Sequence, residues 1–175
     1  MIGLDTNVLA RYYVRDESDA EAEKQHRAAR RLIESGRPLK VCKTVLLELE
    51  WVMRGYYGFS TAEIASALNH LLALPHVIVE DRDAVRQALA HHTAGLDLAD
   101  ALHHASYRDC DGMASFDDRK FARRAKRMGL VPTGSPGRAE VRKGRGASGE
   151  TGRGGGQPRP TLRTAPSPSA PIPYV

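Results

Sequence analysis

The chain has little cysteine and no long apolar run. Its two cysteines, Cys42 and Cys110, form neither a metal-ligand pair nor a disulfide framework, which favours a reduced environment. No apolar stretch approaches the roughly 20 residues that a membrane-spanning helix needs. The N-terminus also lacks the basic and apolar regions of a signal peptide. We therefore expect a cytoplasmic protein without a membrane segment.

The folded part of the chain has no excess of charge of either sign. The whole chain contains 26 Lys/Arg and 21 Asp/Glu, and the residues from Gly134 onward contain seven of the former and two of the latter. Residues 1–133 are therefore neutral, and the net charge of +5 belongs to the C-terminal region. The high pI consequently says little about what the folded domain binds.

The C-terminal region also differs in composition. Residues 134–175 contain nine of the 16 Gly and seven of the 10 Pro, with almost no large apolar side chains. Such a segment cannot bury enough surface to offset the entropy of ordering. We predict a folded domain over residues 1–133 and a disordered tail over residues 134–175. The tail is either a basic arm that touches RNA or an extension without a role.

Strand-like and helix-like patterns alternate along residues 1–133. Ile2–Leu4, Leu39–Cys42 and His76–Glu80 are short apolar runs, and apolar residues at three- and four-residue spacings lie between them. This alternation predicts an α/β fold with a mostly parallel sheet and helices on both faces. Weaker strands are expected over Asp111–Ser115 and Gly129–Pro132, with a basic helix over Arg119–Met128.

The first strand leads directly into polar residues. Asp5, Thr6 and Asn7 follow the apolar run, and a helical pattern comes next. In open α/β sheets, ligands bind beyond the carboxyl ends of the strands. A carboxylate beside a hydroxyl and an amide suits a cation such as Mg²⁺. The alternative is that Thr6 or Asn7 only caps the next helix.

Other acids stand where strands end or helices begin. Glu48 lies in an apolar helical run after the second strand, where a buried carboxylate would need a partner, a proton or a metal ion. Glu50 is expected to point elsewhere. If Asp5, Glu48, Asp100 and Asp117 converge, their repulsion is relieved by a divalent cation. The alternatives are local: Asp97 and Asp100 as a helix cap and its first-turn acid, and Asp117 and Asp118 as favourable charges at a helix N-terminus.

Four segments, in this order, resemble the PIN-domain family, and more narrowly its VapC-type toxin ribonucleases. They are Ile2–Leu9, Leu47–Arg54, Asp97–Leu102 and Ala114–Asp117. The resemblance extends over residues 1 to about 132. It implies a three-layer α/β/α fold and an endoribonuclease that depends on Mg²⁺ or Mn²⁺. It also implies a cognate antitoxin that covers the site, and a homodimer. The long Gly/Pro-rich tail departs from the family pattern.

The resemblance assigns roles to particular residues. Matching the motifs places Asp5, Glu48, Asp100 and Asp117 at the four acidic positions. Glu48 is chosen over Glu50 because it begins the Glu-Leu-x-Trp segment, and Asp100 over Asp97 because it directly precedes Ala101-Leu102. Thr6, Asn7 and Ser115 match the polar supporting positions. Asp118 departs from the family pattern, which often has a non-acidic residue at this position, and would be an additional metal ligand.

Three further expectations concern side chains around these acids. Arg119, Lys120 and Arg123 lie in the basic helix and either contact RNA phosphates or form a solvated face. Trp51 is expected in the core. His91/His92 and His103/His104 are adjacent pairs that diverge on a helix, so neither pair is expected to bind a metal ion.

The predicted function is a metal-dependent endoribonuclease, the toxin of a toxin–antitoxin pair. Two rival hypotheses exist. One is an inactive PIN-like module that binds RNA or a partner without cutting it. The other is a phosphotransfer domain, which is disfavoured because the acid of the first strand begins the chain and Lys120 lies in a helix rather than at a strand end.

Overall fold

The computed structural model describes residues 1–15, 19–115, 121–130 and 133–134 of the chain. Three short strands form a parallel sheet in the order β1–β2–β3: β1 (Ile2–Gly3), β2 (Leu39–Val41) and β3 (Val77–Val79). The described helices are α1 (Thr6–Tyr13), α2 (Ala20–Ile33), α3 (Lys43–Gly55), α4 (Thr61–Ala73), α5 (Arg82–Thr93), α6 (Leu98–Ser106) and α7 (Phe121–Arg127). The fold is a three-layer α/β/α arrangement, as predicted.

The strands are held in register by backbone hydrogen bonds. Ile2 pairs with Leu39, and Leu39 pairs with Val77. A further parallel pair consists of β4 (Met113–Ala114) and β5 (Thr133–Gly134). Because β1, β2 and β3 run the same way, their carboxyl ends meet at one edge of the sheet, where Asp5 follows β1 and Lys43 opens α3.

The core lies between the sheet and the helices. Leu39 and Val41 of β2 and Val77 of β3 are buried, together with Leu49 and Met53 of α3. Helix α1 packs on α2 and α3, and α5 packs on α4 and α6. These contacts position α1, α3 and α6. The first two turns of these helices contain predicted site residues.

Local capping signals account for several helix starts. The Asp19 carboxylate caps α2 by accepting a hydrogen bond from the Glu21 amide at 2.9 Å. The Ser60 hydroxyl and the Glu63 carboxylate form a capping box at the start of α4, for which the Ser-x-x-Glu spacing is the sequence signal. The Ser60 hydroxyl and the Ser60 amide both donate hydrogen bonds to the Glu63 carboxylate, and these bonds lower the pKa of Glu63.

The prediction for the last strand was wrong by a few residues. The strand β5 is Thr133–Gly134, and the expected range began at Gly129. The reason is the end of α7: the Leu130 amide donates to the Ala125 carbonyl at 3.0 Å, and Gly129 adopts a left-handed φ of 66°. This closing turn uses the residues that the apolar pattern assigned to a strand.

No helix in the described part of the chain is long and apolar enough to cross a membrane. The predicted tail, apart from Gly134, lies outside the described residues, so the domain boundary after residue 133 stays a prediction.

Candidate active site

The end of β1 delivers Asp5 to the edge of the sheet. The Leu4 amide donates to the Lys40 carbonyl at 2.9 Å, which ties the end of β1 to β2. The Asp5 carbonyl then accepts from the Val8 and Leu9 amides at 3.2 and 3.3 Å and so opens α1. The Asp5 side chain makes no capping bond and is exposed. Its carboxylate is therefore accessible to a ligand at the strand end.

Thr6 connects β1 to α3. Its hydroxyl donates to Oε2 of Glu48 at 2.6 Å, and Thr6 itself is buried. Asn7 lies beside Asp5, with its Nδ2 at 3.4 Å from Oδ2 of Asp5, at the outer limit of a hydrogen bond. The alternative that Thr6 or Asn7 only caps the next helix is wrong, because Asp5 occupies the cap position and the Thr6 hydroxyl bonds across the site.

The expectation that Glu48 is the buried acid of α3 and that Glu50 points elsewhere was wrong. Glu48 is exposed, whereas Glu50 is buried and accepts a hydrogen bond from Nε of Arg54 at 2.7 Å. Leu46, Glu50 and Met53 share one face of α3, at spacings of four and three residues. The apolar periodicity therefore contained the signal that Glu50, and not Glu48, faces inward.

The burial of Glu50 is compensated by its partner. The hydrogen bond from Arg54 to Glu50, together with the opposite charge, raises the pKa of Arg54. The ion pair with Arg54 consequently accounts for the burial of Glu50 without a metal ion. Among the residues that the structure describes, Glu48 has no such ion pair, and it lines the groove described next.

Helix α6 starts opposite α3. The Asp97 carboxylate caps this helix by accepting from the Ala99 amide at 2.9 Å, so the capping alternative for Asp97 is confirmed. Asp100 follows in the first turn and is half-buried. A groove of about 340 Å³ separates the two helices, with Glu48 and Trp51 on one side and Asp97 and Ala99 on the other.

The prediction that Trp51 lies in the core was wrong, because 51% of its surface is exposed. It stands three residues after Glu48, on the side of α3 that faces the groove. Its position off the buried stripe of Leu46, Leu49 and Met53 was the sequence signal that the interpretation missed.

Two histidines meet across α5 and α6. The rings of His91 and His104 lie 6.2 Å apart in an edge-on arrangement, although the adjacent pairs diverge as expected. Burial, and then the neighbouring His104, lower the pKa of His91. Both effects favour the neutral form of His91.

Two further predicted site residues belong to the part of the chain that the structure describes. Ser115 follows β4 and is half-buried, and Arg123 is exposed on α7. Four of the predicted residues lie outside the described residues: Asp117, Asp118, Arg119 and Lys120. The roles assigned to these four residues therefore remain predictions.

Two of the predicted ligands, Asp5 and Glu48, have the side-chain chemistry that a hard divalent cation prefers. Within the described ranges no three His, Cys, Asp or Glu side chains form a metal-binding group, and Asp117 belongs to none of those ranges. The side chains of Asp5 and Glu48 offer carboxylate oxygens with accessible surface, and Thr6 already orients Glu48. Oxygen ligands of this kind suit Mg²⁺ or Mn²⁺.

The fold and this acidic edge define a class of protein, a three-layer α/β/α domain of nuclease type. The family model of the PIN domain matches residues 2–127, and the chain belongs to the PIN domain family. PIN domains are generally metal-dependent nucleases. The matched residues include Asp5, Glu48 and Asp100. A search of the curated proteins found no match.

Proposed function

We propose that the protein is an endoribonuclease that hydrolyses RNA phosphodiester bonds with Mg²⁺ or Mn²⁺. The observation that carries the proposal is the hydrogen bond from Thr6 to Glu48, 2.6 Å long. It joins the segment after β1 to the acidic segment of α3, and it leaves the exposed carboxylates of Asp5 and Glu48 beside the edge where ligands bind in such sheets.

The proposed catalytic and metal-binding residues are Asp5, Glu48, Asp100 and Asp117. When bound, the cation supplies an activated water and neutralises charge on the phosphodiester. The roles of the protein's own groups follow from their contacts. Thr6 holds Oε2 of Glu48 and so restricts the rotamer of that carboxylate. Asn7 lies beside Asp5, and Ser115 and Asp118 are proposed as further supporting residues.

The substrate is proposed to be bound through its backbone. Arg123 is exposed on α7, and Arg119 and Lys120 precede it in the sequence. Cations of this kind neutralise phosphates and make binding depend on salt. We assign these three residues to contacts with the RNA backbone.

The finer biological role is a toxin of the VapC type that acts on RNA in the cytoplasm. Its support is the ordered set of four segments, from Ile2–Leu9 to Ala114–Asp117, that resembles those toxins. An antitoxin would cover the acidic edge, and the toxin would form a homodimer. Co-purification of a partner encoded beside this protein, and loss of its nuclease activity in that complex, would support this role.

The second candidate is a PIN-like module that binds RNA or a partner without cleaving it. The observation in its favour is that no three potential ligands cluster among the residues that the structure describes. It predicts RNA binding that added Mg²⁺ does not convert into cleavage.

Cleavage of a structured RNA pool by the purified full chain tests the proposal. Reactions contain Mg²⁺, Mn²⁺ or EDTA, and two variants run beside the wild type. Asp5→Asn removes a proposed ligand. Asp19→Asn is the matched control, because it makes the same change at another helix start and Asn caps as well as Asp.

We expect metal-dependent cleavage by the wild type and by Asp19→Asn, and none by Asp5→Asn although circular dichroism shows it folded. Equal activity of both variants would overturn the site. A folded wild type that binds RNA without cleaving it in any metal would favour the binding module.

A further inference from the structure

The groove beside Glu48 has a composition that the acidic site alone does not explain. Leu47 and Trp51 of α3 and Ala99 of α6 give it a largely apolar lining, and its charged lining residues are Glu48, Glu50, Asp97 and Arg54. Its volume, about 340 Å³, is at the lower end of the range for small-molecule sites, roughly 300–1,000 Å³. Because Arg54 is paired with Glu50, the acids Glu48 and Asp97 leave this groove unfavourable for a phosphate, and its apolar lining suits a flat neutral ring.

Trp51 is placed to contact such a ring. It is 51% exposed, and the three-residue spacing puts it on the same side of α3 as Glu48. Leu47 lies one helical turn before Trp51 and lines the same groove. Aromatic side chains of nucleic-acid-binding proteins stack on bases, whatever the base, because every base has a π-face.

A second groove continues from the first. The two share Glu50, Arg54 and Asp97, and the second also contains Arg124 and Thr93. The Arg54 side chain is half-exposed. Nη1 of Arg124 donates to the Gly95 carbonyl at 2.9 Å, which holds this guanidinium at the groove wall. Glu48 and Trp51 thus line only the first groove, Arg124 lines only the second, and Arg54 lines both.

We propose that Trp51 stacks on an unpaired RNA base next to the scissile phosphate, and that the following phosphate lies near Arg54 and Arg124. This inference rests on the proposed function for the position of the scissile phosphate. The contact requires an unpaired base, because a paired base is not free to enter the groove. The contact is aromatic stacking, so it discriminates between paired and unpaired RNA more than between bases.

The chain supplies its own probe for this contact. Trp51 is the one tryptophan among its 175 residues, so intrinsic tryptophan emission reports on this groove alone. Full-length Asp5→Asn protein in EDTA is titrated with a short single-stranded RNA, with the same RNA annealed to its complement, and with an abasic ribose-phosphate oligomer of equal length. Anisotropy of a dye on each ligand measures its binding independently of the emission.

We expect the single-stranded RNA to quench the emission of Trp51 at saturation, and the duplex and the abasic oligomer to leave it unchanged. Binding of the single strand without quenching, or equal quenching by the abasic oligomer, would overturn the inference. Emission that depends on protein concentration without RNA would also overturn it, because Trp51 would then lie between copies of the chain.

Kinetics of variants in the otherwise wild-type chain provide the second readout. We expect Trp51→Ala to lower kcat/KM on single-stranded RNA by roughly fivefold to a hundredfold, and Trp51→Phe to retain most of it. Tyr107→Ala is the matched control, since Tyr107 is 49% exposed and contributes to neither groove. Equal kcat/KM for Trp51→Ala and the wild type would contradict the proposal.

The two proposals fail in different ways. Quenching without cleavage by the wild type in any metal would reject the nuclease and keep the stacking contact. Cleavage that Asp5→Asn abolishes, combined with no quenching, would reject the stacking contact alone. Absence of both binding and cleavage would reject both.

Discussion

The hydroxyl of Thr6 donates to Oε2 of Glu48 across 42 residues of sequence, at 2.6 Å. Thr6 is buried at the start of α1, and Glu48 is exposed on α3. The bond therefore fixes an otherwise mobile carboxylate from a rigid position. Where a carboxylate binds a metal ion, losing the group that orients it typically lowers metal affinity or activity by roughly 10- to 100-fold.

Replacing Thr6 tests this positioning role. Thr6→Val keeps the shape of the side chain and removes the hydroxyl, so we expect kcat/KM for RNA cleavage to fall roughly tenfold to a hundredfold. The Mg²⁺ concentration for half-maximal activity should rise, and Thr6→Ser should restore both values. An unchanged Mg²⁺ dependence in Thr6→Val would show that the bond is only structural.

Leu49 and Trp51 are large apolar residues of the same helix with opposite environments. Leu49 is fully buried, whereas Trp51 is half-exposed. We expect Leu49→Ala to lower the free energy of unfolding by about 2–5 kcal/mol through the lost contacts and the cavity. Trp51→Ala should lower it by less than about 1 kcal/mol, as for other surface changes. Urea denaturation measures both, and comparable losses would place Trp51 in the core.

The ion pair between Glu50 and Arg54 predicts a difference between single and double variants. Arg54→Met leaves the buried Glu50 carboxylate without this partner, and we expect a loss of about 1–3 kcal/mol in the free energy of unfolding. Replacing both residues, as Glu50→Leu with Arg54→Met, should recover most of that loss, because no buried charge remains.

The control for this pair is Arg30→Met, which removes the exposed bond to Glu34. Its urea midpoint should stay close to that of the wild type, since exposed pairs contribute little. A double variant no more stable than Arg54→Met would show that Glu50 contributes through packing rather than charge.

Asp81 predicts a pH-dependent contribution to stability. It pairs with Lys43 at 3.2 Å and with Arg108 at 3.1 Å. Burial by itself would raise the pKa of Asp81, but these two bonds and charges outweigh burial and lower it. The stabilisation is therefore present above the unfolded pKa, near 3.9, and is lost as the pH falls through the folded pKa.

Asp81→Asn isolates the charge, because Asn also tolerates the left-handed φ of 46° at this position. We expect the variant to be about 1 kcal/mol less stable near neutral pH, and the difference to shrink as both proteins are acidified below the pKa of Asp81. Urea denaturation across this range measures it. A difference that stays constant down to strong acid would assign the effect to the backbone.

Short-range features were predictable from the sequence because their causes are local. The caps at Asp19 and Asp97 and the capping box of Ser60 and Glu63 join groups two or three residues apart. The alternation of strands and helices likewise predicted the parallel sheet, since parallel strands require a crossover between them. The end of α7 was less predictable, because the turn at Gly129 and an edge strand have the same apolar composition.

The sequence by itself therefore determined the fold class, the caps of α2, α4 and α6 and the candidate acids. Only the tertiary structure decided which of Glu48 and Glu50 faces the groove, which partner Thr6 takes, and that Trp51 lies at the surface. The physical reason is that helix periodicity shows only which residues of α3 share a face. Which face is covered depends on packing against elements distant in the chain.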